Sequence, residues 1–388
     1  MRRELVRNSV LFGAALAAGW IGWCGNPLAL PMSAAFPFIW SVARDRPSAA
    51  MASATYFLAA SRGLPHGAVA FYGSNLLSGL LLWLIASAAF VSVHAVLWTE
   101  RSGWRLAIRY LLVMFLMAVP PFGILGWAHP ITAAGVLFPG WGWVGLGTMA
   151  AGLLIMTTRL RPAAAIAIIG LWLWSAAQWT TQHLPSSWYG VELTLGASLG
   201  RTSNLERQRG LVATARAARR GKGAVVVLPE SAIGFWTPTV ERLWLRELRA
   251  SGLTVVAGAS VVDEIGYDNV LLELSEFGAR IIYRERMPVP GSMWQPWQSL
   301  IDGGGGARAY FFSNPVAEIA GKRVAPVICY EQLIVWPVVQ SMLYDPDIIV
   351  AVGNGWWTGG TSIVPIQRAS VEAWSRLFHK PLVFSVNT

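Results

Sequence analysis

The chain has 388 residues, of which 54% are hydrophobic and 13% are charged, and its mean hydropathy is +0.48. A soluble domain is about one quarter charged, so this composition argues against an ordinary soluble protein. The net charge of +10 is concentrated in residues 1–187, which contain eleven arginines, no lysine and three acidic residues. Because these arginines separate long apolar runs, we interpret them as topology signals and predict no direct binding of nucleic acid.

Residues 1–187 are predicted to form an α-helical membrane domain with about five to seven spans. One span needs about 20 apolar residues, and several stretches without a charged side chain are long enough. Spans are predicted near 9–30, 74–98, 104–124, 138–158 and 163–181, and weaker apolar pieces at 33–43 and 48–61. His66, His94 and His129 have no metal-binding spacing, and we predict neither a metal nor another cofactor.

Four clusters of arginine predict the orientation of these spans. The clusters are Arg2, Arg3 and Arg7; Arg44 and Arg46; Arg101 and Arg105; and Arg159 and Arg161. If all four are cytoplasmic, the two short apolar pieces must both cross, which gives seven spans. The chain from about residue 188 then lies outside the cytoplasm.

Residues 188–388 are predicted to form an α/β domain outside the membrane. Short apolar runs such as "AVVVLPES" (224–231), "NVLLEL" (269–274), "KRVAPVICYE" (322–331) and "PDIIVAVGN" (346–354) alternate with helical stretches. Continuous apolar strands that alternate with helices indicate a buried sheet covered by helices.

Two strand ends carry candidate catalytic residues. Glu230 ends the strand in "AVVVLPE", and Cys329 ends the strand in "RVAPVIC". Chemistry gathers at the carboxyl ends of strands in α/β sheets, and a carboxylate can take the proton of a nearby thiol to make it a nucleophile. Each residue also has a simpler interpretation, because Cys is often a buried apolar residue and a strand-end Glu can cap the following helix.

Three blocks resemble the carbon–nitrogen hydrolase (nitrilase) superfamily. They are "LPESAIGFW" (228–236), "VICYEQ" (327–332) and "NGWWTGGTSIVPIQRASVEAWSRLFHKPLVFSVNT" (354–388). Together with the apolar first half, the layout resembles the apolipoprotein N-acyltransferase family. The resemblance implies an αββα sandwich on the periplasmic side of a bacterial inner membrane. It also implies a Glu-Lys-Cys site in which Glu230 and Cys329 take the first and third roles, with Glu331 in support.

The resemblance also implies substrates. Cys329 would attack an acyl ester of a phospholipid and form a thioester. The amino-terminal amine of a lipoprotein would then receive the acyl group. The phospholipid donor, the lipoprotein acceptor and the membrane are therefore the expected partners.

The sequence departs from the pattern of this family at the lysine. The family's Lys position, five residues before Pro290, is occupied by Glu285, and Arg284 and Arg286 flank it. Arg286 is the candidate substitute for the lysine, although a guanidinium is not equivalent to an ammonium. The family's later Glu is also missing from "GSMW", where Met293 stands, and the domain is apparently short at its C-terminus.

These departures indicate a divergent branch, similar to plasmid conjugal-transfer proteins of the TraB type. Two functions remain open. The first is a cysteine-dependent acyltransferase or amide- and ester-cleaving enzyme of the cell envelope. The second is a catalytically degenerate scaffold or binding module for conjugal transfer, and the altered lysine position is the feature that separates the two. A transporter is weakly supported, because the predicted spans carry no buried acidic residue.

Overall fold

A computed structural model describes residues 2–180, 184–198, 204–219, 221, 223–298 and 305–388. The chain divides into two compact units. The first unit comprises Met1–Thr181, Leu333–Trp336 and Gly360–His379, and the second comprises Gln182–Gln332, Pro337–Gly359 and Lys380–Thr388. Two short segments from the second half of the sequence therefore belong to the first unit.

The first unit is helical. Its helices are Arg2–Gly22 (α1), Phe36–Ser41 (α2), Arg46–Ala60 (α3), Leu64–Tyr72 (α4), Leu76–Leu97 (α5), Trp104–Ala118 (α6), Ala134–Leu137 (α7), Gly142–Ile155 (α8), Arg161–Ala177 (α9) and, later in the chain, Ile363–Phe378. Buried aromatic residues hold it together: Tyr56 stacks on Phe36 with ring centroids 4.2 Å apart, and its hydroxyl accepts a hydrogen bond from the Trp23 indole. Burial of such large rings is a main source of core stability.

The prediction of a multi-span membrane domain is wrong. Among the described residues, two helices are long and apolar enough to cross a membrane, Glu4–Gly22 and Leu76–Leu97. The reason is local, because several of the uncharged stretches form helices shorter than the roughly 20 residues of one span, and proline and glycine contribute to these breaks. The stretch predicted to span 104–124, for example, ends its helix at Ala118, just before Pro120. The predicted orientation depended on seven crossings and loses that basis.

The second unit contains two sheets. Its strands are Trp188–Gly190 (β1), Val225–Val227 (β2), Gly234–Phe235 (β3), Thr254–Val262 (β4), Tyr267–Ser275 (β5), Gly278–Arg284 (β6), Ala317–Ile319 (β7), Lys322–Ile328 (β8), Ile348–Asn354 (β9) and Leu382–Asn387 (β10). One sheet has the order β1-β2-β4-β5-β6, with β3 beside β4, and the other has the order β10-β9-β8-β7. β2 lies between the parallel strands β1 and β4, and β8 lies beside the parallel strand β9, so the carboxyl end of each points the same way as those neighbours.

Two layers of apolar side chains pack against the first sheet. On one face, Val226 and Leu272 pack with Trp244 and other residues of the helices Leu205–Ala218 (α10) and Pro238–Leu248 (α11). On the other face, Val227 and its neighbours meet Ile328 and the rest of the second sheet. This helix–sheet–sheet order is a nitrilase-like α/β arrangement, and the core between the sheets leads directly to the ends of β2 and β8.

Candidate active site

Glu230 follows β2 at a point where two chain segments lie unusually close. A Cβ on Gly258 of β4 would lie 2.6 Å from the Glu230 Cα and 2.4 Å from the Ser231 nitrogen. Position 258 therefore accepts only glycine without a backbone shift. Ser231 has a φ of +59°, so the chain turns sharply immediately after the glutamate. These constraints hold the Glu230 carboxylate at the end of the strand, where it is 4% exposed.

Cys329 lies at the same type of turn. β8 ends at Ile328, and Cys329 has a φ of +46°, in the left-handed region that costs a residue with a side chain about 1–3 kcal/mol. Such strain is common where a nucleophile is presented at a strand end. Cys329 is 7% exposed, so the sulfur is largely shielded from water.

The structure brings Glu230 and Cys329 together. The carboxylate of Glu230 is hydrogen-bonded to the Cys329 thiol, to the Asn269 side chain with an Nδ2–Oε1 distance of 2.8 Å, and to the Asn354 backbone N–H at 3.0 Å. Burial raises the pKa of Glu230 to about 7, although these hydrogen bonds oppose the rise. A carboxylate with that pKa is suited to accept and return a proton near neutral pH.

Asn269 also binds a second buried carboxylate, that of Glu285. The Asn269 Nδ2 donates to Glu285 Oε2 at 2.9 Å, so a single amide group bridges Glu230 and Glu285. Glu285 is 1% exposed, and its Oε1 has no hydrogen-bond partner among the described residues. Burial and then the charge of Glu230 raise the pKa of Glu285 well above its usual range. Glu285 is predicted at the lysine position from the sequence, whereas no sequence motif indicates Asn269.

Glu331 is an anchoring residue at the nucleophile turn. Its carboxylate accepts hydrogen bonds from the Tyr283 hydroxyl at 2.7 Å and from the backbone N–H groups of Ile328 at 2.7 Å, Arg286 at 2.7 Å and Met287 at 3.2 Å. It thus ties the end of β8 to the segment that follows β6. Burial raises the pKa of Glu331, and the neighbouring guanidinium and these donors oppose the rise.

Arg286 lies beside Glu331, and its hydrogen bonds do not go to Glu230 or Cys329. The guanidinium is fully buried, with Nε 3.9 Å from Glu331 Oε1. It donates to the Tyr283 hydroxyl, the Pro326 carbonyl, Gln340 Oε1 and Ser341 Oγ. Four such contacts indicate a group that holds the site in shape. Arg284, the other flanking arginine, binds Asp268 at 2.9 Å and is partly exposed.

The site can therefore perform nucleophilic chemistry with a proton acceptor already bonded to the thiol. A thiol and a carboxylate in hydrogen-bond contact are the minimum needed for covalent catalysis by cysteine. In the described part of the chain, no group of three His, Cys, Asp or Glu side chains is arranged to hold a metal ion.

Comparisons with known proteins identify the family of the chain. The family model of the carbon-nitrogen hydrolases matches residues 58–376. The chain is 60% identical over its full length to a probable conjugal transfer protein TraB of Sinorhizobium fredii, covering all of that protein. It is 54% identical to the conjugal transfer protein TraB of Agrobacterium fabrum, covering 100% of this chain and 94% of that one.

Among solved structures, an amidase of the nitrilase superfamily from Nesterenkonia covers 53% of this chain, and 78% of the amidase is matched, at 11% identity and a TM-score of 0.39. The extent of the family match and the identity to full-length relatives lead to one conclusion. The chain belongs to the carbon–nitrogen hydrolase family, in the branch of the TraB proteins.

Proposed function

We propose that this chain is a cysteine-dependent acyl-transfer enzyme of the carbon–nitrogen hydrolase family that acts in plasmid conjugal transfer. The observation that carries the proposal is the hydrogen bond between the Cys329 thiol and the buried Glu230 carboxylate. The conjugal role is supported by two full-length relatives whose names include conjugal transfer.

The first half of the reaction transfers an acyl group to the enzyme. Glu230 accepts the proton of the thiol, and the sulfur of Cys329 attacks the acyl carbonyl carbon. A C–S bond forms, and the π electrons of the carbonyl move to its oxygen. When the tetrahedral intermediate collapses, the bond to the leaving group breaks and the leaving oxygen or nitrogen takes the proton held by Glu230.

The second half of the reaction releases the acyl group. An amine or water gives a proton to Glu230 and attacks the thioester carbon, the C–S bond breaks, and the thiolate regains the proton. Glu230 therefore serves both halves, which requires a pKa near the working pH, and burial raises its pKa to about 7. We propose a phospholipid ester as the acyl donor and the amino-terminal amine of a lipoprotein as the acceptor.

A lipid donor requires access to a membrane, and we propose that the first unit supplies it. The support is the surface of α5, where Leu77, Leu84 and Ile85 are 64%, 51% and 69% exposed. Exposed apolar side chains on one helix are typical of a surface that is covered by lipid or by another protein. The helix has the length of one membrane crossing.

Thioester formation on Cys329 tests the proposal. The purified full chain is incubated with an activated fatty-acyl ester, and the labelled residue is identified by mass spectrometry and by release with neutral hydroxylamine. We expect Cys329 to be labelled, Cys329→Ala to abolish labelling, and Glu230→Gln to slow it strongly. Cys24, the other cysteine, is exposed, so Cys24→Ala is the matched control and should keep the labelling.

A cell-based assay separates the enzyme from a scaffold. Plasmid transfer frequency is measured in a donor that carries Cys329→Ala, with Cys24→Ala as the control. A catalytic role predicts that transfer falls with Cys329→Ala alone, at unchanged protein level. Transfer at the wild-type frequency, together with absent labelling, would instead support a scaffold that retains the fold.

A further inference from the structure

The charges of the buried site do not balance if every carboxylate is ionised. Glu230, Glu285 and Glu331 are all at least 96% buried, as is Arg286, which lies beside Glu331. Within the described residues, neither Glu230 nor Glu285 has an ion-pair partner, and a single amide bonds to both. Two like charges in contact with one nitrogen repel strongly in a medium of low dielectric constant. One of these two carboxylates must therefore hold a proton.

The hydrogen bonds indicate which carboxylate is protonated. Glu230 accepts from three donors, the Cys329 thiol, the Asn269 amide and the Asn354 backbone N–H, and each of them stabilises the ionised form. Glu285 accepts from Asn269 alone, and its Oε1 has no partner in the described part of the chain. The proton therefore resides on Glu285, and its Oε1 hydroxyl is a hydrogen-bond donor that can bind an acceptor on the substrate.

We propose that Glu285 is a neutral carboxylic acid whose hydroxyl donates to the carbonyl oxygen of the acyl substrate and stabilises the oxyanion formed on that oxygen. This inference rests on the proposed function. Glu285 stands where the resemblance to the family predicts a lysine, and an ionised glutamate there would repel the oxyanion. A neutral carboxylic acid removes the repulsion and supplies a hydrogen bond in the same place.

The placement of Glu285 beside the nucleophile follows from the strands. The backbone N–H of Glu285 donates to the Asn269 carbonyl at 2.8 Å, so the two residues face each other across β5 and the end of β6. Asn269 in turn contacts Glu230, which contacts Cys329. Besides Glu230, the titratable groups that act on Glu285 are Glu331 and, on β5, Tyr267. Neither bears a positive charge, so the surroundings favour the neutral acid.

Two variants of Glu285 test this role, both made in the Cys24→Ala background. Glu285→Ala removes the donor, and loss of one oxyanion donor slows acylation by about 10²–10³-fold. Glu285→Gln keeps a neutral donor of nearly the same shape, and we expect acylation within about tenfold of the parent. We expect acylation by the parent to fall at high pH as Glu285 ionises, and Glu285→Gln should lack that fall.

Alkylation by iodoacetamide distinguishes stabilisation of the oxyanion by Glu285 from an effect of Glu285 on the Cys329 thiolate. It needs the Cys329 thiolate but forms no oxyanion, so we expect Glu285→Ala to alkylate at close to the parent rate while acylation is lost. Equal acylation by Glu285→Ala and the parent would overturn the proposal, as would an equal loss in Glu285→Gln and Glu285→Ala. Labelling that survives Cys329→Ala would refute the proposed function instead.

A spectroscopic measurement does not depend on activity. The infrared difference spectrum between the parent and Glu285→Gln should contain the carbonyl stretch of a protonated carboxylic acid at neutral pH. If the spectrum contains only the carboxylate band, Glu285 is ionised and the proposal is refuted, even if Glu285→Ala does not fold. Melting curves of both variants identify any general loss of structure.

Discussion

Glu230→Gln should have opposite effects on catalysis and on stability. Burial raises the pKa of Glu230 to about 7, compared with 4.5 for an unperturbed glutamate. At a pH between these two pKa values, Glu230 therefore holds a proton in the folded chain but has released it in the unfolded chain. The wild-type free energy of unfolding accordingly decreases as the pH rises from about 4.5 to about 7 and then levels off. Glutamine has no proton to bind and lacks this decrease.

The size of the effect follows from the difference between the two pKa values. Each pKa unit corresponds to about 1.4 kcal/mol, so the free energy of unfolding of Glu230→Gln should gain about 3 kcal/mol relative to wild type across this pH range. The change with pH is the prediction, because an amide also rearranges the local hydrogen bonds by an amount that does not depend on pH. Acylation should meanwhile fall strongly, since the thiol has lost its proton acceptor.

Urea unfolding of the full chain, followed by circular dichroism, measures stability without using the reactive thiol. The midpoint and slope of the unfolding curve give the free energy of unfolding at each pH. Glu276→Gln is the matched control, because that side chain is exposed and its neutralisation should change stability by less than about 0.5 kcal/mol. A stability difference between Glu230→Gln and wild type that is constant with pH would refute the raised pKa and the role of Glu230 as a base.

Three further predictions concern the anchoring residue Glu331, the close approach of two chain segments at Gly258, and contact of α5 with a membrane. Glu331→Gln should destabilise the second unit by about 3–5 kcal/mol in the same urea assay, because it leaves a buried guanidinium without its charge partner; an unchanged midpoint would contradict this. Gly258→Ala should lower the yield of folded protein, since its Cβ would lie 2.4 Å from a backbone nitrogen, whereas Gly210→Ala in α10 meets nothing within 4 Å and should be neutral or stabilising. Ile85→Lys on the exposed surface of α5 should shift the chain from the membrane fraction to the supernatant at equal expression. If the variant stays in the membrane fraction, the result argues against a lipid contact by this helix.

Apolar runs in the first half are evident from the sequence, but their division into separate helices is not. Uncharged stretches in the first half satisfy the length of a span only if they form one continuous helix. In the structure, the stretch predicted to span 138–158 forms a helix from Gly142 to Ile155, and the piece at 48–61 belongs to a helix from Arg46 to Ala60. Both are shorter than the thickness of a bilayer requires. Hydropathy measures the preference of each residue for an apolar environment, but the ends of a helix depend on prolines, glycines and caps.

The positions of the nucleophile Cys329 and the base Glu230 are easier to predict from the sequence than the position of Glu285. Glu230 and Cys329 each follow an apolar run, which predicts that both lie at strand ends. The two strands belong to different sheets, and the packing of the sheets brings the residues together. The position of Glu285 depends on the register of β5 and β6. Near the turn, Leu272 pairs with Ile281, and continuing that register would place Arg284 opposite Asn269. A bulge between Leu271 and Leu272 shifts the pairing by one residue.

The consequence of this bulge is chemical. The shift turns Glu285 toward Asn269 and Glu230, and leaves Arg286 beside Glu331. A prediction from charge alone prefers an arginine at an oxyanion, because an ionised glutamate would repel it. The charge of Glu285, however, depends on how many buried carboxylates share the donors around it. Those donors come from β5, from the end of β9 and from the cysteine turn, so they are assembled only when the two sheets pack. The same residue is a poor catalyst as an isolated anion and a suitable hydrogen-bond donor in this fold.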